Sequence, residues 1–299
     1  MTTLKEEIKS FWDNLSSRQF KGAVYLDVDE YLSKLEIALK EEAIKLFPLC
    51  IELLHHGIQA CVHFQNINIS RLKSDTRKAL SNPGFWMLQG RQVSLACAFR
   101  LLILSGFEDA SRLIVRPLIE TDELALACLV NENLSEEYTA EDPAYNEKEF
   151  WKRNVAYGKI NEHYMRVLGR IGLDQENIDA IIEYRKEIKE ALSSSVHSAV
   201  SSALRSELVP SLAKPGYLYP SSTGHHSVHT PSTCVAVIGE IHHYLAAVIN
   251  LLTSNDPPSA LAEIEPSEAA SFFASAITFQ EFFFKNEDDL RPKEIKKIL

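Results

Sequence analysis

The sequence predicts an all-α fold, a multi-helix bundle, and three observations carry that expectation. Apolar residues recur every three or four positions along most of the chain. Breaks rich in Gly, Pro and Asn divide this pattern into about eight to ten segments of helical length. No stretch alternates apolar and polar residues as a half-buried strand does, and no internal repeat is visible.

Composition sets the bounds. The 299 residues, 45% hydrophobic and 24% charged, supply a sizeable core. The expected organisation is N-terminal helices over 1–88, a central helical bundle over 89–255, and a C-terminal helix and tail over 256–299, together one compact domain. A formal net charge of -10 argues against broad attraction to nucleic acid or anionic membranes, although a local basic patch remains compatible with it. Met1 to Ser10 lacks the apolar core of a signal peptide. No run of about 18 uninterrupted apolar residues marks a membrane span. Cys50, Cys61, Cys97, Cys128 and Cys234 are scattered through apolar stretches without a C-x-x-C pair, as expected of reduced core cysteines. The expectation is a cytoplasmic protein with no membrane partner, and a homodimer, since two-fold dimers are the commonest soluble oligomers.

Each element has its own signal. Leu4 to Leu15 places Leu4, Ile8, Phe11, Trp12 and Leu15 on one side of a short helix. Asp27-Val-Asp-Glu30 opens a second helix, which Pro48 interrupts or kinks. Leu49 to Phe64 is a strongly apolar helix, and Ser70 to Leu80 a short polar one stopped by Asn82-Pro83-Gly84. Gly90 to Val130 forms two apolar helices joined by a turn at Ser105-Gly106, with Pro117 inside the second. Asn131 to Pro143 reads as an acidic loop. Ala144 to Leu168 reads as one helix with an aromatic seam of Phe150, Trp151, Tyr157 and Tyr164, ended by Gly169 and Gly172.

Asp174 caps the next helix, which continues to Ala203 and grows dense in serine from Ser193. Small side chains there permit close approach by another helix or a ligand. Val209 to Pro231 is the longest irregular stretch, a length often associated with function. Thr230-Pro231 starts the apolar helix that ends at Leu252, and Ser267 to Phe284 forms a phenylalanine-rich helix before a charged tail.

Three constellations have chemical potential. Arg112, Arg116 and Glu120 stand four residues apart on one helix face, with Asp122 and Glu123 beside them. Arginine holds planar anions such as phosphate, and a neighbouring His197 is a candidate general acid or base. Alternatively, Glu120 simply pairs with Arg116. The second constellation comprises Glu52-x-x-His55 and Glu240-x-x-His243, the spacing that di-iron bundles use. Glu120 or Glu123 with Glu36, Glu41 or Glu42 would complete that set, and iron, manganese or zinc is the implied cofactor. The third is the loop cluster His225, His226 and His229, a possible zinc-type site or lid. Phosphate-binding glycine loops and the G-x-S-x-G elbow are absent.

The segment Ala110-Ser-Arg112-Leu-Ile-Val-Arg116-Pro-Leu-Ile-Glu120, followed by Leu192-Ser-Ser-Ser-Val-His197-Ser198, resembles a bacterial family of unknown function. That family carries an R-x-x-x-E helix and a later S-x-x-x-H segment, and its fold is thought similar to the HEPN helical domains. The likeness spans roughly Gln89 to Leu204. It implies a HEPN-like core, RNA or a partner protein as the binding partner, a stress or phage-defence setting, and no cofactor. HEPN ribonucleases use R-x(4-6)-H, whereas the nearest arginine before His197 here is Arg185, twelve positions away. Arg112 or Arg116 would therefore have to approach His197 from another helix.

Overall fold

The computed structural model describes residues 4–18, 28–74, 81–140, 147–196, 209–214, 217–219 and 225–290. Those residues form an all-α bundle. Its elements are α1 (Leu4–Arg18), α2 (Val28–Leu46), α3 (Pro48–Ser74), α4 (Pro83–Leu104), α5 (Glu108–Val130), α6 (Glu132–Thr139) and α7 (Glu147–Asn154). A single 3₁₀ turn, Ala156–Gly158, leads to α8 (Lys159–Arg170) and α9 (Gln175–Val196). After it come α10 (Thr230–Leu252), α11 (Ser259–Ala262), α12 (Pro266–Lys285) and α13 (Glu287–Leu290). The only β-structure among the described residues is a two-residue antiparallel ribbon, Val209–Pro210 with Leu218–Tyr219, and two isolated bridges.

The α4/α5 hairpin organises the fold. Asn82, at φ 66°, caps α4 by accepting from the Phe85 amide at 3.0 Å, and Pro83 fills the first turn. The Asn-Pro-Gly signal thus begins α4, while the part of the expected Ser70 to Leu80 helix beyond Ser74 lies outside the described residues. At the far end Gly106 takes φ 71°, and the Phe107 amide donates back to the Leu102 carbonyl at 2.9 Å, closing α4. The chain reverses directly into α5, which passes through Pro117 without ending.

Around this hairpin, α3 packs against α4, α10 and α12, while α8, α9 and α10 pack against α5. N-terminal α3 and C-terminal α12 are neighbours, so the first and last parts of the chain share one core. Phe64, Phe85, Phe99, Phe272, Phe279 and Tyr244 are fully buried in it. Burying each such side chain stabilises the fold by roughly 1.5–3 kcal/mol. By length and composition α10 is apolar enough to cross a membrane, and 56% of its apolar window is buried within the bundle.

Three elements differ from the sequence reading. The helix begun at Pro48 runs on to Ser74, because apolar and polar positions stay in phase and no breaker intervenes. Residues 132–139 are helical, not loop: Asn131 accepts from the Leu134 amide at 3.3 Å, and Leu134 and Ser135 are buried. The single helix expected over Ala144 to Leu168 is instead broken at Tyr157, which sits at φ 57°, ψ 32°. Its aromatic seam divides accordingly: Phe150 and Tyr164 are buried, whereas Trp151 is 51% and Tyr157 91% exposed. Four of the five cysteines are buried, and Cys97 faces solvent.

Candidate functional site

The polar ladder on α5 divides into two pairs pointing in opposite directions. Arg112 Nη1 lies 3.7 Å from Glu108, one turn earlier, and Arg116 Nε donates to Glu120 Oε1 at 2.9 Å. Arg116 also donates from Nη1 to Ser193 Oγ on α9, at 3.1 Å. That bond crosses between the two segments that the sequence singled out. The small serine lets α9 come close enough for a guanidinium to reach it. His197, four positions beyond Ser193, lies outside the described residues, as do residues 198–208.

One turn further along α5 the polar side chains turn inward. Glu123 is buried and receives Lys189 Nζ at 2.9 and 3.0 Å and Arg185 Nη1 at 3.4 Å. Arg185, also buried, donates from Nη2 to Glu240 Oε1 at 2.8 Å and lies 4.5 Å over the ring of Tyr164. Burial opposes charge on Arg185, but the Glu240 and Glu123 carboxylates outweigh it and keep the guanidinium charged. The nearest arginine preceding His197 in sequence is therefore committed to the core.

Asp122 is fully buried beside this group, and neither of its oxygens meets a donor among the described residues. Burial, and then the Glu240 charge, push its carboxyl well above the usual range. A proton on Asp122 would balance the cluster, in which two cations face three carboxyl groups. It also turns an acceptor–acceptor contact with Glu240 into an O–H···O bond.

A surface groove lies here in two halves that share lining residues. The first, about 570 Å³, is lined by Arg116 and Glu120 from α5, Lys186, Lys189 and Ser193 from α9, and Tyr157 from the turn after α7. The second, about 890 Å³, runs between α4, α5, α6 and α7 past Met87, Arg91, Pro117, Tyr138 and Phe150. Glu120, Trp151 and Val155 line both halves. Arg91, Arg116, Lys186 and Lys189 line the groove with Glu120 and Glu190, and three of these cations already hold a carboxylate: Arg116 holds Glu120, Lys189 holds Glu123 and Lys186 holds Glu183. An anion entering the groove meets guanidinium and ammonium donors within reach, in competition with those carboxylates.

The remaining candidates do not gather. Glu52 is exposed and 4.0 Å from His56, while Glu240 is buried on Arg185. His55 is held neutral by burial and then by Arg100, and burial, with Arg185 nearby, brings His243 down to about 4. Glu42 lies 2.9 Å from His226 Nδ1, and His226 Nε2 lies 3.2 Å from the Ile103 carbonyl. His226 thus ties the loop to the core. Backbone bonds hold its neighbours: the His225 amide donates to Gly106, and the His229 amide to Ser227 Oγ at 2.9 Å. Thr230, at the start of α10, accepts from the Ser227 amide and donates to Glu108. Among the described residues no three His, Cys, Asp or Glu side chains converge as a metal site would require.

No known protein family, curated protein or solved structure matches this chain. The groove therefore stands on its own geometry. Sequence reasoning missed Lys186, Lys189, Trp151 and Tyr157. The lysines did carry a signal: residues 186, 189 and 193 fall on one helix face, pointing the same way as Ser193. Nothing in the pattern distinguished an exposed Trp151 from a packed one.

Proposed function

We propose that this protein binds RNA in the groove between α5, α7 and α9 and has a ribonuclease-like site there. The observation that carries the reading is the Arg116–Ser193 bond, which brings the R-x-x-x-E helix against the serine-rich helix in a groove that Lys186 and Lys189 also line. Arg116 presents a forked donor suited to a phosphodiester, and Glu120 holds it by its Nε edge. Lys186, half exposed and 3.3 Å from Glu183, lines the same groove. Cleavage at such a site needs no cofactor. The ribose 2′-oxygen attacks phosphorus as the P–O5′ bond breaks, the 2′ proton passes to a base, and the 5′ oxygen gains a proton. His197 takes the acid–base role by its place in the sequence, four residues after Ser193. The HEPN resemblance extends the reading to a stress or defence setting.

The test is a fluorescently labelled single-stranded RNA in EDTA. Binding by the wild-type protein, weakened about tenfold or more in Arg116→Ala, is the expected result, the size of a lost charge-assisted contact. His197→Ala retains binding and loses cleavage to a 2′,3′-cyclic phosphate. A wild-type protein that neither binds nor cleaves RNA overturns the reading.

A further inference from the structure

We infer that the groove selects unpaired bases, with Trp151 and Tyr157 as its stacking platforms. This inference rests on the RNA reading and adds the class of strand that the site accepts.

Tyr157 is the first observation. A tyrosine at φ 57° occupies the left-handed region, which L residues other than Asn and Asp seldom adopt. The fold does not recover this cost by packing the ring, which is 91% exposed. The 3₁₀ turn between α7 and α8 holds that ring at the rim of the cationic half of the groove. An unfavourable backbone that displays an aromatic face to solvent points to a ligand for that face.

Trp151 is the second. Half exposed, it lines both halves of the groove and comes from α7, whereas Lys186 and Lys189 come from α9. The apolar half beyond it, with Met87, Pro117 and Tyr138, has the character of a pocket for a flat base. Cationic side chains and exposed rings in one groove are the means by which proteins hold single strands: lysine and arginine track the phosphates while bases stack on aromatic faces. A duplex keeps its bases stacked on one another and offers them to neither ring.

The experiment compares three ligands of equal phosphate number by fluorescence anisotropy: an oligoadenylate, its abasic counterpart and a blunt RNA duplex. Wild-type protein is expected to bind the oligoadenylate at least tenfold more tightly than either other ligand. Trp151→Leu and Tyr157→Gly are each expected to lose roughly tenfold on the oligoadenylate and little on the abasic strand. Tyr157→Gly suits the left-handed position, so it deletes the ring without endangering the fold. Equal affinity for oligoadenylate and abasic strand, with loss only in Arg116→Ala, overturns stacking and leaves the RNA reading intact. No affinity for any of the three removes the RNA reading, and the inference with it.

Discussion

Arg185 and Glu240, 55 residues apart in sequence, form a 2.8 Å ion pair inside the bundle with both side chains almost fully buried. Removing one partner leaves a charge in apolar surroundings. Arg185→Met should therefore destabilise the fold by about 3–5 kcal/mol. Arg185→Met combined with Glu240→Leu should recover much of that loss. Urea unfolding of the single and double variants checks this, and equal losses in both would contradict it.

Asp122 predicts a pH dependence of the opposite sense to most carboxylates. Its folded-state pKa is raised well above 3.8, first by burial and then by Glu240. The neutral form is favoured in the fold, so its contribution is complete below about pH 4. It is lost at about 1.4 kcal/mol per unit as pH rises toward the raised value. Asp122→Asn keeps a donor toward Glu240 and cannot ionise. Relative to wild type the variant should gain stability from pH 5 to pH 8 in urea titrations, and a constant difference would count against a neutral Asp122.

His242 and His243 act in the other direction. Burial, and then the neighbouring His243 charge, bring His242 from 6.5 to about 4, and burial followed by Arg185 does the same for His243. Both are neutral in the fold, so their contribution is full above pH 6.5 and lost as pH falls toward 4. The slope is up to about 1.4 kcal/mol per unit for each ring. His242 stacks on Phe283 at 4.2 Å, so His242→Phe preserves the packing while removing one titration. Its acid limb in a thermal-melt series should be shallower than that of wild type.

Gly84 sits where α4 meets α6. A Cβ there would stand 2.6 Å from Ser135 Oγ and 2.9 Å from the Ser135 carbonyl oxygen. The hydroxyl can turn aside, but the carbonyl belongs to the backbone of a helix. Gly84→Ala should cost about 1–3 kcal/mol. Adding Ser135→Gly should not restore it fully, because the carbonyl contact persists.

The helices were legible in the sequence to the degree that their apolar periodicity agreed with their ends. The Ser105-Gly106 turn, the Asp174 cap and the phenylalanine-rich helix from Pro266 stand where the pattern placed them. Tyr157 was not legible, since a tyrosine carries no mark of a left-handed backbone and its neighbours continue the helical spacing. The R-x-x-x-E ladder was visible as a pattern but not as a division of labour. Spacing alone does not say that Arg112 reaches back to Glu108 while Arg116 reaches forward to Glu120 and across to Ser193. Nor does it show that Asp122 and Glu123 face the core: their burial depends on Arg185 and Lys189, which arrive from more than 60 residues away.

The interior charge cluster has a consequence for how the chain assembles. Its members come from α5, α9 and α10, and no two of these helices together supply every partner. Docking α9 on α5 without α10 leaves Arg185 without the carboxylate that binds it most closely, and docking α10 on α5 without α9 buries three carboxyl groups with no cation. Partly assembled forms are thus penalised by several kcal/mol each, so the three helices gain protection from hydrogen exchange as one cooperative unit.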